Sequence, residues 1–303
     1  MSVIKVNNLS KHFGSLIAVN ELSFEVNQGE VFGFLGQNGS GKSTTIRMLL
    51  SLIHPTSGSI EIFGQALDAN RSVIAENVGA IIERPDLYPY LTAQEHLALF
   101  AKLSKRKISA QQIAATLKLV GLSARADDKA QTFSLGMKQR LGIAIALVHN
   151  PDLIILDEPT NGLDPQGIAD IRNLIQYLSK QEGKTILVSS HLLSEMEQVA
   201  TQILIIHQGK KIAMGPTHTL LDPNKAIVQI QTLDDIKAKT FLAKSLYAPL
   251  LLDRPNGIFL SIATQEIPNL HKAIVQADLG VMSLDIKKSL EDYFLEVTST
   301  SHT

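Results

Sequence analysis

Three places in this chain bring together residue types able to do chemistry, and each follows an apolar run. The first is Gly36-Gln37-Asn38-Gly39-Ser40-Gly41-Lys42-Ser43, which fits the phosphate-loop pattern Gly, any four residues, Gly-Lys-Ser/Thr. Gly36, Gly39 and Gly41 allow main-chain conformations and close approaches that a side chain forbids, so successive N–H groups can turn inward on an anion. Asn38, Ser40 and Thr44 belong to the same cradle, and the helix expected to follow adds free N–H groups and the positive end of its dipole. Lys42 would reach the β- and γ-phosphates as a point charge, and the Ser43 hydroxyl would take one place in an octahedral Mg²⁺ shell. The plain alternative is a glycine-rich strand-to-helix turn that binds nothing.

The second place is Asp157-Glu158, at the end of Leu153-Ile154-Ile155-Leu156. Asp157 is placed to act on Mg²⁺ through its carboxylate, while Glu158 points elsewhere and can hold or deprotonate an attacking water. Without the phosphate loop, the pair would read as a turn before Pro159. The third is His191, just past Thr185 to Ser190, where a neutral imidazole can donate a hydrogen bond to a γ-phosphate. A lone histidine at a strand end is otherwise an ordinary loop residue. Phe13 can stack on an adenine face or serve as a core aromatic.

The elements that must position these residues alternate strand and helix. Residues 3–9 and 22–26 read as strands bridged by Ser10 to Asn20, with Phe13 in the bridge. Val31 to Leu35 is a buried strand, Thr44 onward a helix ending near Ile53, and Ser59 to Gly64 and Val78 to Ile82 are further strands. Thr92-Ala93-Gln94-Glu95 has capping-box spacing and opens a helix through about Leu103. A helical stretch containing Ile113 to Val120 continues to Val148, with a break at Thr132 to Gly136. Asp164-Pro165 caps a helix that stops near Gly183; Leu193 to Ala200 is helical, and a hairpin turns at Gln208-Gly209. Such alternation predicts an α/β fold with a mainly parallel sheet, antiparallel strands at the N-terminus and a helical subdomain at about 84–148. Ligands of open α/β sheets gather at the carboxyl ends of strands, where Gly36, Asp157 and His191 all fall.

Past Gly215-Pro216 the order becomes βαββαβ: strand 226–231, helix 236–246, strands 249–252 and 258–262 joined at Asn256-Gly257, helix 266–277 and strand 281–286. This predicts a small α+β domain of ferredoxin-like order over 222–303, after a cassette over 1–221. A last helix is expected from Lys288 to Val297, then a loose tail from Thr298.

Composition bounds the rest. The 303 residues are 45% hydrophobic, enough for a full core, and include no cysteine, so disulfides and cysteine metal sites are excluded. A net charge of -1 lacks the basic signature of a nucleic-acid binder. No uncharged apolar run approaches the ~20 residues of a membrane-spanning helix, and no secretory leader is visible.

Taken in order, the phosphate loop at 36–43, Phe133-Ser134-Leu135-Gly136-Met137-Lys138-Gln139-Arg140, Leu153 to Thr160, Asn161-Gly162-Leu163-Asp164 and His191 resemble the motif set of ABC transporter ATP-binding subunits. The resemblance covers about residues 1–220. Within that family Ser134 to Arg140, Glu83 and the segment Ser289 to Leu295 look most like ATPases of bacitracin- and lantibiotic-type export or immunity transporters. It implies ATP and Mg²⁺ as ligands, an integral-membrane permease as partner, a position at the cytoplasmic face of the membrane, and no nucleic acid. Two cassettes, expected to be identical, would close head to tail over two ATP, each lying between Gly36 to Thr44 of one subunit and Ser134-Leu135-Gly136 of the other. Asp164 fits the family's intersubunit loop, although its capping role explains it alone.

Two departures from the family pattern stand out. Leu135 and Met137 replace a Gly and the Gln of the usual Leu-Ser-Gly-Gly-Gln, leaving Ser134 and Gly136 to address the γ-phosphate. Glu83 occupies the usual Gln position of the family's Q-loop; there it would sense Mg²⁺, acting as a metal and catalytic residue, and relay the ATP state through Arg84 to Tyr90. The competing class is a soluble nucleotide-controlled clamp on ribosomes or nucleic acid. Such proteins usually resemble two fused cassettes or carry long coiled-coil insertions, and neither is present.

Overall fold

A computed structural model of the chain describes residues 1–220, 225–252 and 257–287. The chain opens as a long antiparallel hairpin, β1 (Ser2–Phe13) and β2 (Leu16–Asn27). Its strands run further than apolar alternation marks, because pairing continues through register shifts after Leu9 as far as Phe13 and Leu16. Each shift turns the next side chain toward the opposite face and so breaks the period of two. Phe13, expected in a bridge, therefore ends a strand. Next come β3 (Val31–Leu35), the phosphate loop and α1 (Lys42–Leu49), then β4 (Ser57–Ile62), β5 (Gln65–Ala66), α2 (Leu67–Ala75) and β6 (Val78–Ile81). Helix α1 stops before the expected Ile53, as Ser51 turns left-handed at φ 53. Helix α2 is not marked by the sequence pattern: only Leu67 and Ile74 bury, and Asn70 interrupts it with non-helical torsions.

The helical stretch comprises α3 (Ala93–Leu103), α4 (Ala110–Leu119) and α5 (Leu135–Leu147). Thr92 and Ser109 each form a reciprocal capping box, and Ser134 accepts the Met137 N–H at the head of α5. After it, β7 (Leu153–Asp157), α6 (Pro165–Lys180), β8 (Thr185–Ser190), α7 (Leu193–Val199), β9 (Gln202–His207) and β10 (Lys210–Pro216) alternate.

Two sheets result. One is antiparallel, in the order β2-β1-β4-β5, and the other has the order β10-β9-β3-β8-β7-β6, with its run from β9 to β6 parallel. Strands β3, β7 and β8 are buried along their whole length, which is why they read as continuous apolar runs. A single core joins Ile4, Val6, Phe24 and Ile62 of the antiparallel sheet to Phe32, Phe34, Ile155 and Leu187 of the parallel one, with Ile46 and Leu49 of α1 between them. Phe24 stacks on Phe32 with ring centroids 5.5 Å apart. Because β3, β7 and β8 are adjacent and parallel, their carboxyl ends come out side by side, and that is what assembles the site.

The chain divides into two compact units, Met1–Gly215 and Pro216–Thr303. The second unit contains α8 (Thr217–Leu220), β11 (Lys225–Thr232), α9 (Asp235–Ala243), β12 (Leu251–Leu252), β13 (Ile258–Ala263), α10 (Ile267–Gln276) and β14 (Val281–Lys287). Its sheet has the order β12-β13-β11-β14 with every pairing antiparallel, the ferredoxin-like arrangement. Val228, Ile230, Leu260, Leu270 and Ile274 form its own core. The strand expected over 249–252 shortens to two residues, since Pro249 lies in a tight turn over Ala248–Leu250. The helix expected over 288–297, the tail after it and Asn256 of the expected turn lie outside the described residues.

Candidate functional site

A cleft of about 420 Å³ opens at the carboxyl end of β3, lined by Phe13, Asn38, Gly39, Gly41, Lys42, Ser43, Thr44 and Glu158, with Leu16, Ile17, Ala18 and Gln208. Two glycines are sterically required. A Cβ on Gly36 would fall 2.6 Å from the Ile206 carbonyl oxygen, and one on Gly41 would fall 2.5 Å from that of Ala18, with Gly41 also at φ +106. Backbone carbonyls cannot yield as side chains do, so the loop can close only with glycine there. Gly41 is also the residue from which α1 starts, and no side chain caps that end. The free N–H groups of its first turn therefore face the cleft, the arrangement that captures phosphate.

Lys42 is buried, and its Nζ donates to the carbonyls of Gly36 at 2.7 Å and Gln37 at 3.3 Å. The same amine lies 3.2 Å from Glu158 Oε1. The other oxygen of that carboxylate, Oε2, is 2.8 Å from His191 Nδ1. A continuous polar chain thus runs from the phosphate loop through Glu158 to His191, bringing together residues from the ends of β3, β7 and β8. Glu158 turns out of its strand with φ +48, a left-handed conformation unfavourable for a side chain of this kind. Such outliers cluster at sites where function sets the geometry.

Asp157 is 1% exposed. Its Oδ1 accepts the Ser189 hydroxyl at 2.5 Å, and its Oδ2 is buried without a hydrogen-bond partner. The Ser189 Oγ in turn accepts the Glu158 N–H at 2.9 Å, so one hydroxyl holds both the Asp157 carboxylate and the Glu158 backbone. Sequence reasoning missed Ser189, because a serine inside an apolar strand reads only as filler. Ser40 Oγ, within the loop, is likewise buried and unpartnered. An orphaned carboxylate oxygen at the end of β7, one residue before Glu158 of the cleft wall, suits a divalent cation whose remaining ligands are water and phosphate oxygens. Among the described residues no group of three or more His, Asp or Glu is placed to hold a metal by protein ligands alone.

Of the other expected residues, Glu83, Ser134, Gly136 and Asp164 do not line the cleft, whereas Phe13 does. Glu83, at φ +58 and largely exposed, pairs with Arg47 Nη2 at 2.6 Å and does not line the cleft. Ser134 is occupied as the cap of α5, Leu135 lies against Gly162, and Gly136 faces Leu163. Asp164 Oδ1 accepts the Gly167 N–H at 3.0 Å and caps α6. Phe13 is half-exposed at the cleft mouth, with Lys11 Nζ 5.0 Å from its ring centroid.

A two-layer cassette with a glycine cradle, a buried lysine and a Glu–His pair at parallel strand ends defines the class of phosphate-loop nucleotide hydrolases. Comparison with known proteins narrows this. The family model described as ABC transporter matches residues 19–161. The chain is 42% identical over 300 residues to the bacitracin transport ATP-binding protein BcrA of Bacillus licheniformis, covering 98% of this chain and 97% of that one. It is 42% identical over 210 residues to the lantibiotic transport ATP-binding protein SrtF of Streptococcus pyogenes, covering 69% and 89%. Among solved structures, a dimeric ATP-binding cassette in a post-hydrolysis state with ADP and Pi superposes with a TM-score of 0.64 at 26% identity, over 71% of this chain and 98% of that one. The chain belongs to the ABC transporter family as an ATP-binding subunit that hydrolyses ATP. These similarities do not favour the ribosome or nucleic-acid clamp.

Proposed function

We propose that this chain is the peripheral ATPase of an exporter for a peptide antibiotic or comparable amphiphile, working at the cytoplasmic face of the membrane beneath a separate permease. Full-length similarity to a bacitracin transport subunit carries this reading. Among the described residues no helix is long and apolar enough to cross a membrane.

Two cassettes close head to tail over two ATP molecules. The cleft at Gly36 to Thr44 supplies one wall of each site, and Ser134 and Gly136 of a second copy supply the other. In a single chain these two residues do not line the cleft, in keeping with a site completed from outside. Ser43, Asp157 and Glu83 are the residues offered to Mg²⁺, which when bound neutralises phosphate charge and fixes the phosphate oxygens. Lys42 draws the β- and γ-phosphates into the cradle. Glu158 holds and deprotonates the water that attacks the γ-phosphate; His191 orients Glu158 through Nδ1 and, when both ring nitrogens carry a proton, donates from Nε2 to the γ-phosphate. For Glu83 to serve Mg²⁺ it must leave Arg47, and that exchange carries the ATP state through Arg84 to Tyr90 toward the permease. Residues 222–303 form an accessory domain.

Membrane co-fractionation tests this reading. The full chain should pellet with a polytopic protein, and bacitracin or a lantibiotic should raise the ATPase rate of that complex. Sedimentation with ribosomes in place of membranes contradicts it.

A further inference from the structure

Glu195 is a buried carboxylate outside the chain of contacts joining Lys42, Glu158 and His191; it is 8% exposed and lies in the first turn of α7. A glutamate three residues into a helix commonly reaches back to the capping N–H. Here Leu192 is the capping residue and makes no side-chain cap bond. The carboxylate turns instead toward the strand ends. Its Oε2 accepts Thr160 Oγ1 at 2.5 Å and Ser190 Oγ at 3.2 Å.

Those two hydroxyls flank the chemistry. Thr160 stands two residues after Glu158, and Ser190 immediately precedes His191. Ser190 Oγ also accepts the Leu192 N–H at 2.9 Å, folding the turn that presents His191. The Ser190 carbonyl accepts the Gly36 N–H at 3.3 Å, and the Thr160 carbonyl accepts the Leu163 N–H at 3.1 Å on the way to Asp164. One carboxylate oxygen therefore ties the loop bearing Glu158 to the turn bearing His191, and through Ser190 to the start of the phosphate loop. Buried carboxylates are costly without such partners.

We propose that Glu195 is a positioning residue for ATP hydrolysis: by holding Thr160 and Ser190 on a single oxygen it keeps the Glu158 carboxylate and the His191 imidazole in reach of each other. It touches no residue of the cleft wall except through these links, so it governs turnover and leaves nucleotide capture alone. The proposal rests on Glu158 and His191 acting as described under the proposed function.

The test is steady-state ATPase kinetics on the full chain, with thermal unfolding as a check on folding. Misplacing reacting groups by about 1 Å costs up to ~10²-fold, so Glu195→Ala should lower kcat by about tenfold or more with KM for ATP changed less than about twofold. Glu195→Gln keeps an oxygen acceptor in the same place and should restore kcat to within about threefold of wild type. Thr160→Val and Ser190→Ala each remove one link; they should lower kcat at unchanged KM, and they carry the test should Glu195→Ala not fold. In a His191→Ala background, Glu195→Ala should cost less than about twofold more, because both act through the same contact. A folded Glu195→Ala protein with wild-type kcat overturns the proposal, as does a loss that is fully additive with His191→Ala. Glu158→Gln separates the two levels. Wild-type turnover in that variant removes the parent reading, whereas its loss beside an unaffected Glu195→Ala removes only this one.

Discussion

Ser189→Ala is the perturbation whose size follows most directly from the geometry. The Ser189 hydroxyl is fully buried, donates to Asp157 at 2.5 Å and accepts the Glu158 N–H at 2.9 Å. Its removal takes from Asp157 Oδ1 the partner it has, beside an Oδ2 that has none. A hydrogen bond to a carboxylate is worth about 1.5–3 kcal/mol, and an orphaned buried N–H costs about 1–3 kcal/mol. With partial relaxation the variant should lose about 3 kcal/mol. For a unit of ~200 residues each kcal/mol moves Tm by about 2–4 °C, so the shift should be about 6–12 °C. Differential scanning calorimetry of the full chain reads it, and added ADP identifies the relevant transition, since nucleotide raises only the unit that binds it. Catalysis should fall as well, because the Glu158 backbone loses its anchor. A Tm shift under about 2 °C would refute the reasoning, for it would mean that neither hydrogen bond holds the strand ends together.

Other perturbations give distinct outcomes. Gly41→Ala places a methyl 2.5 Å from the Ala18 carbonyl at φ +106, so ADP affinity measured by calorimetric titration should drop at least ~10-fold; retained affinity means the loop opens without cost. Burial holds the His149 imidazole below its ordinary value of 6.5, opposed by its hydrogen bond to the Val78 carbonyl and reinforced by Arg106 and Lys184. As pH falls through 6.5 the unfolded chain takes up this proton first, so stability drops toward the folded-state value; His149→Gln should flatten that part of the Tm profile against pH. The Arg47–Glu83 pair lies at the surface, and such pairs contribute about 0–1 kcal/mol. Glu83→Ala should therefore leave Tm nearly unchanged while lowering transport, and unchanged transport and ATPase rates remove Glu83 from the relay.

What the sequence makes legible here is what is local. The phosphate loop, the Asp157-Glu158 pair and the caps at Thr92 and Asp164 are each read within a few residues, and the backbone settings of the loop and the caps follow from residue type, whereas the left-handed turn at Glu158 does not. Continuous apolar runs marked β3, β7 and β8 because strands buried on both faces have no polar side to alternate with. Contacts across strands were not legible. Ser189 and Glu195 act by hydrogen bonds to residues about 30 positions away, and no spacing rule marks such pairs. Bulges hid the outer half of the first hairpin, and weak amphipathicity hid α2. Glu83 is a different case: its position was legible but its partner was not, since Arg47 lies on α1 and meets it only in the folded chain.

Glu158→Gln tests the central claim most directly. The substitution keeps the shape of the side chain that lies 3.2 Å from Lys42 Nζ and 2.8 Å from His191 Nδ1 but removes its basicity. Single-turnover ATP hydrolysis and nucleotide affinity should be measured on the same preparation. Turnover should fall at least ~10²-fold while ATP still binds, and turnover at the wild-type rate would contradict the assignment of Glu158 as the base.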